Sequence, residues 1–310
     1  MLHFSFERQQ SQTAVAAKIL DSAFSVESYS ESFPHVFSEG SSAVIACARN
    51  SQGTLLGLCG VDTEYWSEPQ SLRGACIGSV AVDPSAQGQG VGTALLSWVI
   101  DALRLSCSHD FIYLFSAENR FYESLGFKAV GRERLFAFEL DSAKTSTSDG
   151  YHLSSLRQTT DLVPDEQRAL WQVLEQTRLS GESHAGWLKF LQVCSIPDLW
   201  VAWIAESSSG RIRAGGFVGK GIDFRGVMHN LFACSNEVLN DFLNIFSTHH
   251  RELSKSLLLA PGLWTAALTQ GFTPKAEQNL CYVLPLTFDL QQLTLSFNEG
   301  RLYPRSLFSS

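Results

Sequence analysis

The chain has 310 residues, enough for about two domains of roughly 150 residues with ordinary hydrophobic cores, which excludes a mini-protein held together by disulfides or metal. Apolar residues at 45%, charged residues at 17% and a mean hydropathy of +0.00 describe a globular chain, neither disordered nor membrane-like. No apolar run reaches the roughly 18 residues that span a bilayer, and a formal net charge of −8 without a Lys/Arg cluster argues against a broad nucleic-acid surface while leaving room for an acidic cleft.

The opening residues Met1–Arg8 lack the basic and apolar regions of a signal peptide, so the chain is expected in the cytoplasm. Periodicity then predicts a strand over 4–8, a helix over 14–24, a weaker helical segment over 31–38, and three strands over 43–49, 55–62 and 74–82, forming an antiparallel meander. A glycine-rich turn leads into a helix over 90–105, whose Val91, Leu95, Trp98 and Ala102 recur at helical spacing. A strand over 111–116, a short helix over 119–125 and an alternating strand over 127–140 complete the first half. Strands flanking single helices give a layered, mixed α/β domain.

Asp141–Gly150 is small and polar, the composition of a linker, so residues 1–140 and 151–310 are read as two domains joined by 141–150. Glu206–Gly210 reads instead as a hairpin turn within the second. At an offset of about 145 residues the halves run in parallel: Ile112-Tyr113-Leu114-Phe115 against Leu257-Leu258-Leu259-Ala260, Gly126-Phe127 against Gly271-Phe272, and a helix near 238–249 against the one over 90–105. The seven cysteines are scattered, with no Cys-x-x-Cys pair, and read as reduced core residues.

The segment Ser79–Leu96 carries the chemistry. A strand ends at Pro84 and glycines follow where a helix begins, so free amide hydrogens and the positive helix end converge on an anion site. A phosphate is the natural guest. A Walker loop needs Lys before its Ser/Thr, but Gly92 is followed directly by Thr93; a dinucleotide fingerprint from Gly90 needs a small residue where Leu95 stands. What fits is Gln-x-x-Gly-x-Gly, as Gln87, Gly90 and Gly92, after a Val-x-Val-x-Pro strand end.

This pattern resembles the coenzyme A loop of the GCN5-related N-acetyltransferase (GNAT) family, and the resemblance runs through the rest of the first half. It implies a strand that splays from its neighbour and offers the backbone of Val80, Ala81 and Val82 to the pantetheine arm. Gln87, Gly88, Gln89, Gly90, Val91, Gly92 and Thr93 would form the pyrophosphate cradle. In Asn119-Arg120-Phe121-Tyr122-Glu123-Ser124-Leu125-Gly126-Phe127, Tyr122 matches the tyrosine that protonates the leaving thiolate, as a general acid must. Asn119 is carried over as a coenzyme contact, although the loop is shorter than the common family pattern. For the base, Asp62, Glu64 and Glu118 are available, and spacing alone favours none. His109 reads more simply as a cap or surface group.

Shifted by 145 residues, the loop falls on Phe232-Ala233-Cys234-Ser235-Asn236-Glu237, without a glycine, and Tyr122 falls on Ala267. The resemblance therefore implies a GNAT-like fold repeated twice, with a degenerate second copy that walls the substrate cleft or stiffens the first. Trp187, Trp200, Trp203 and Phe217 would line that cleft or pack in the core, the commoner fate of large aromatic residues. The implied activity is acetyl transfer from acetyl-coenzyme A to an amine of a small molecule or peptide, without metal. His249-His250 has no carboxylate at ligand spacing. The alternative is a non-catalytic sensor of acyl-coenzyme A.

Overall fold

The computed structural model describes residues 1–8, 14–67, 71–116, 118–137, 150–154, 156–177, 183, 186–220, 224–249, 256–259, 263, 267–268, 271–299, 301–302 and 304. The predicted linker, apart from Gly150, lies outside them.

In chain order the first half contributes β1 (His3–Glu7), α1 (Ala14–Phe24), α2 (Pro34–Phe37), β2 (Val44–Arg49), β3 (Leu55–Trp66), β4 (Leu72–Val82), α3 (Val91–Ser106), β5 (Phe111–Leu114), α4 (Asn119–Ser124) and β6 (Lys128–Ala137). The second contributes β7 (Tyr151–Leu153), β8 (Arg157–Gln158), α5 (Pro164–Gln176), α6 (Trp187–Cys194), β9 (Leu199–Glu206), β10 (Ile212–Gly219), β11 (Val227–Ala233), α7 (Asn236–His249), β12 (Ser256–Leu259), β13 (Pro274–Pro285) and α8 (Leu290–Asn298). The segment predicted helical over 31–38 is instead a 3-10 turn followed by a single helical turn, because Ser28 is left-handed and Pro34 restarts the chain as a new first turn. Strand β3 runs four residues past its predicted end at Asp62, since Tyr65 and Trp66 continue its pairing with β4.

Among the described residues the strands form one sheet in the order β1-β2-β3-β4-β5-β13-β6-β12-β11-β10-β9-β7, with β8 paired to β9. Strands β2 to β4 form an antiparallel meander, as their short connections require, and β1 pairs antiparallel with β2 across the longer connection that holds α1 and α2. At the centre the halves exchange strands: β13 lies between β5 and β6, while β6 pairs on its other side with β12. The antiparallel register of β6 and β13 sets Glu133 opposite Gln278, two positions 145 residues apart. The repeat offset therefore maps this pair onto itself, and a pseudo-twofold axis passes through it.

Helix α3 buries Val91, Leu95, Leu96, Val99, Ile100 and Leu103 against the first half of the sheet, and α7 buries Val238, Leu239, Phe242, Leu243 and Phe246 against the second. Trp98 and Ala102, predicted to share the buried face of α3, are half-buried instead; Trp98 stacks on Phe4 of the edge strand β1 at 5.7 Å between ring centres. All seven cysteines are free thiols, five of them buried, and burial pushes Cys47, Cys76 and Cys194 up to about 12. No helix among the described residues is long and apolar enough to cross a membrane.

Candidate functional site

Strand β4 pairs with β3 along its length but with β5 only at Gly74, Ala75 and Cys76. From Ile77 to Val82 its β5-side edge makes no ladder, so the two strands diverge. The cause is local: the β3–β4 register slips between Leu58 and Gly60, and Ser79, in that bulge, has a φ of 52°. Its hydroxyl is bonded to the Tyr29 hydroxyl at 3.2 Å. Val80 lines the cleft that the divergence opens, Ala81 turns its side chain into the core, and Val82 is half-buried beside α3.

The loop after β4 is braced from within. The Gln87 side chain donates to the Val82 carbonyl at 3.2 Å and the Gln89 side chain donates to the Ser85 carbonyl at 2.8 Å. Gly88 and Gly90 have φ values of 73° and 77° and face open space where a Cβ would stand. Only glycine takes that backbone freely and lets a ligand approach it. The first helical bond of α3 is Ala94 to the Gly90 carbonyl, so the amides of Val91, Gly92 and Thr93 have no acceptor inside the helix. Gly92 is backed by Val82 and by the Phe121 ring, which ties the loop to the start of α4. These residues fit coenzyme A: an open strand edge for an amide-rich arm, then a glycine loop and helix start for a pyrophosphate. Among the described residues no group of three metal-ligating side chains occurs.

A cleft of about 1080 Å³ lies between the diverging strands and the second half. Tyr122, Ser116, Glu118 and Asn119 line it from the β5–α4 side, Tyr29 and Phe33 from the α1–α2 side, and Glu133, Lys220, Gln278 and Tyr282 from β6 and the second half. Tyr122 is 8% exposed. Burial pushes its hydroxyl up to about 12, against a hydrogen bond from the Ser116 side chain that pulls it down. The hydroxyl is therefore neutral at physiological pH. Ser116 also accepts the Glu118 amide at 2.9 Å, which fixes the hydroxyl that Tyr122 meets.

The other sequence candidates separate. Glu118 and Asn119 line the cleft and are exposed. Glu64 and Asp62 are not among its lining residues; both are buried on β3 against Lys189 of α6, with the ammonium 2.6 Å from Asp62 and 3.3 Å from Glu64. These ion pairs join the two halves. His109 is bonded to Thr63 and Ser108 at 2.9 Å each, and its pKa is lowered, chiefly by burial. Trp187 packs with Trp171 and Phe190, and Phe217 and Trp203 lie in the same core; the aromatic residues lining the cleft are instead Phe24, Tyr29, Phe33, Phe115, Phe224, Tyr122 and Tyr282.

Two cleft residues carry no sequence motif. Glu133 is 5% exposed and accepts from the Gln278 amide at 3.4 Å. Lys220 is 1% exposed, with its ammonium 5.9 Å from the Phe33 ring centre and 6.0 Å from that of Phe224. The visible signal for Glu133 is a charge at an inward position of an alternating strand, between Arg132 and Arg134, which both bond Glu277.

The second half repeats the divergence without the loop. Strand β11 pairs with β12 only at Val227 and Met228, and Asn230, like Ser79, is left-handed three residues before the strand ends. From strand end to helix start the first half spends Asp83 to Gly90, and the second only Cys234 and Ser235. Phe232 and Ala233, aligned with the loop by an ungapped shift, are strand residues; six loop positions are missing. Ser235 caps α7 by accepting the Val238 amide at 3.3 Å, and Ala267 is buried.

Residues 40–129 match the family model described as the acetyltransferase (GNAT) domain. No curated protein matches the chain. Among solved structures, a GCN5-related N-acetyltransferase from Anabaena variabilis superposes with a TM-score of 0.68 at 14% identity, over 92% of this chain and 73% of that one. A probable N-acyltransferase from Enterococcus faecalis gives 0.69 at 12% identity, over 92% and 72%. A tandem GNAT protein from the clavulanic acid biosynthesis pathway gives 0.57 at 11% identity, over 93% and 100%.

Proposed function

We propose that this chain, a tandem GNAT fold with a GNAT domain over residues 40–129, is an N-acetyltransferase that moves an acetyl group from acetyl-coenzyme A to an amine. The observation that carries the reading is the continuity of three features: the open edge of β4, the Gly88–Gly92 loop at the start of α3, and the Tyr122 hydroxyl in the cleft between them.

Bound coenzyme supplies the acetyl thioester. The edge of β4 around Val80 to Val82 holds its arm by backbone hydrogen bonds, and the amides of the Gln87–Thr93 segment hold the pyrophosphate, where each charge interaction with a helix start is worth up to ~2 kcal/mol. An amine entering from the opposite side attacks the thioester carbonyl, and the carbon–sulfur bond breaks. Tyr122 gives its proton to the departing sulfur, a contribution of roughly 100- to 10,000-fold for a placed acid, and the proton lost by the attacking nitrogen passes through solvent and restores the neutral tyrosine. Residues 1–140 act as the cofactor domain and 141–150 as a linker. Residues 151–310 form a second GNAT-like domain that has lost its own coenzyme site and completes the cleft.

The test is free-thiol release from acetyl-coenzyme A across a panel of primary amines. Amine-dependent release supports transfer. Stoichiometric coenzyme binding with no release for any amine would leave a sensor and refute the enzyme.

A further inference from the structure

Resting on that reading, we infer that Tyr29 and Ser79 form a positioning pair, whose buried bond between hydroxyls fixes the strand bulge that meets the thioester end of the coenzyme arm. Ser79 has a φ of 52°, a region that residues with a side chain hold only where their surroundings impose it. Its neighbours in the sheet do not. Cys59 alone stands across from both Ser79 and Val80, because the β3–β4 register slips there, and the ladder to β5 has already ended at Cys76. In the second half the matching left-handed residue of β11 is Asn230, a side chain that visits this region more readily than serine does. Serine at the first-half position is accounted for by its hydroxyl, which meets the Tyr29 hydroxyl at 3.2 Å.

Tyr29 lies 50 residues away in sequence, in the turn between α1 and α2, and is itself anchored. Its amide donates to the Asp21 side chain at 2.8 Å, and its ring stacks on Phe24 at 4.1 Å and packs on Phe33 at 4.7 Å between ring centres. Tyr29 is 4% exposed and Ser79 6%, so the bond is shielded from water, where it is electrostatically stronger. The direction of the arm gives the pair its role. The cradle follows β4 in the chain, so an arm held there by its pyrophosphate runs back along the open edge from Val82. Its sulfur end then approaches the bulge at Ser79, about 10 Å further along at the ordinary strand rise. Ser79, Tyr29 and Tyr122 line one cleft. A bulge locked from a different element presents one arrangement of backbone groups to the thioester, and so one placement of the sulfur relative to Tyr122.

The experiment is carbon-13 NMR of the full chain with acetyl-coenzyme A labelled at the thioester carbonyl, with coenzyme A affinity read by calorimetry. The parent is expected to give one bound resonance displaced from that of the free thioester. Tyr29→Phe keeps the ring stack and removes one hydroxyl. Ser79→Gly removes the other while taking the left-handed backbone more freely than serine, which keeps the test open if Tyr29→Phe does not fold. Each variant is expected to lose at least half of the displacement, with coenzyme A affinity within twofold of the parent's. The double variant loses no more than either alone, because both substitutions break the same bond. A purely structural role would leave the resonance in place in Ser79→Gly, whose backbone is relieved of strain. An undisplaced resonance in the bound parent, a parent-like resonance in either variant, an affinity change beyond twofold, or additive losses in the double variant overturns the pairing. Failure of the parent to bind coenzyme A contradicts the acetyltransferase reading itself, which separates the two.

Discussion

Tyr122 keeps its proton for a reason that can be located. Burial under Phe121, Phe127 and Tyr282 penalises the phenolate, and the bond to Ser116 offsets only part of this, leaving the hydroxyl at about 12. At neutral pH the hydroxyl therefore holds its proton, and it can share that proton with sulfur as negative charge builds there in the transition state. Tyr122→Phe retains the ring and its packing and removes one hydroxyl. Turnover is expected to fall tenfold or more while coenzyme A affinity holds, the pattern of an interaction made in the transition state. The sign of the pKa shift adds a second expectation. Because the folded pKa lies above the ordinary tyrosine value, the parent's turnover shows no loss from Tyr122 ionisation across the neutral and mildly alkaline range. Steady-state kinetics of parent and variant check both; equal turnover would reduce Tyr122 to packing.

At the level of elements, two similarly splayed strands are followed by different connections. Both β4 and β11 break from their parallel neighbours beyond a short ladder, and both carry a left-handed residue three positions before the end. What differs is the loop, shortened by six residues in the second half. The sequence makes the first loop legible because glycine spacing is a local backbone requirement. It makes the deletion hard to see, since an ungapped shift still aligns the helices and sets strand residues Phe232 and Ala233 against the loop. Glu64 illustrates the same limit. Its position on a central strand reads as a candidate base, and its partner Lys189 stands 125 residues away, on a helix of the other half.

That buried cluster ties α6 to β3. Burial works against the Lys189 charge, but Glu64 and Asp62 outweigh it and hold its pKa above the ordinary lysine value. Its stabilising contribution is therefore complete below the unfolded pKa of about 10.4 and is lost only as pH rises through the higher folded value. Lys189→Met leaves two buried carboxylates without this cation and is expected to destabilise the fold by about 3–5 kcal/mol at neutral pH. Urea unfolding of parent and variant reads the difference. A loss below about 1 kcal/mol would place the cluster with exposed ion pairs, which contribute little.

For the whole molecule, the exchange of β6 and β13 makes the halves one sheet and the cleft a joint construction. Hydrophobic period and repeat offset reveal two similar α/β halves, because those are properties of neighbours in sequence. They do not reveal that β13 inserts beside β5, since strand partnership is decided by long-range pairing. For the same reason Glu133 and Lys220 carry no motif: each becomes a cleft residue only when the halves meet. We propose that the chain holds one coenzyme site, built by the first half and absent from the second. Calorimetric titration of the full chain with coenzyme A counts the sites. One site per chain is expected, with essentially complete loss of binding in Gly90→Asp, where a side chain and a negative charge enter the cradle. Two sites per chain, or unchanged affinity in Gly90→Asp, would contradict it.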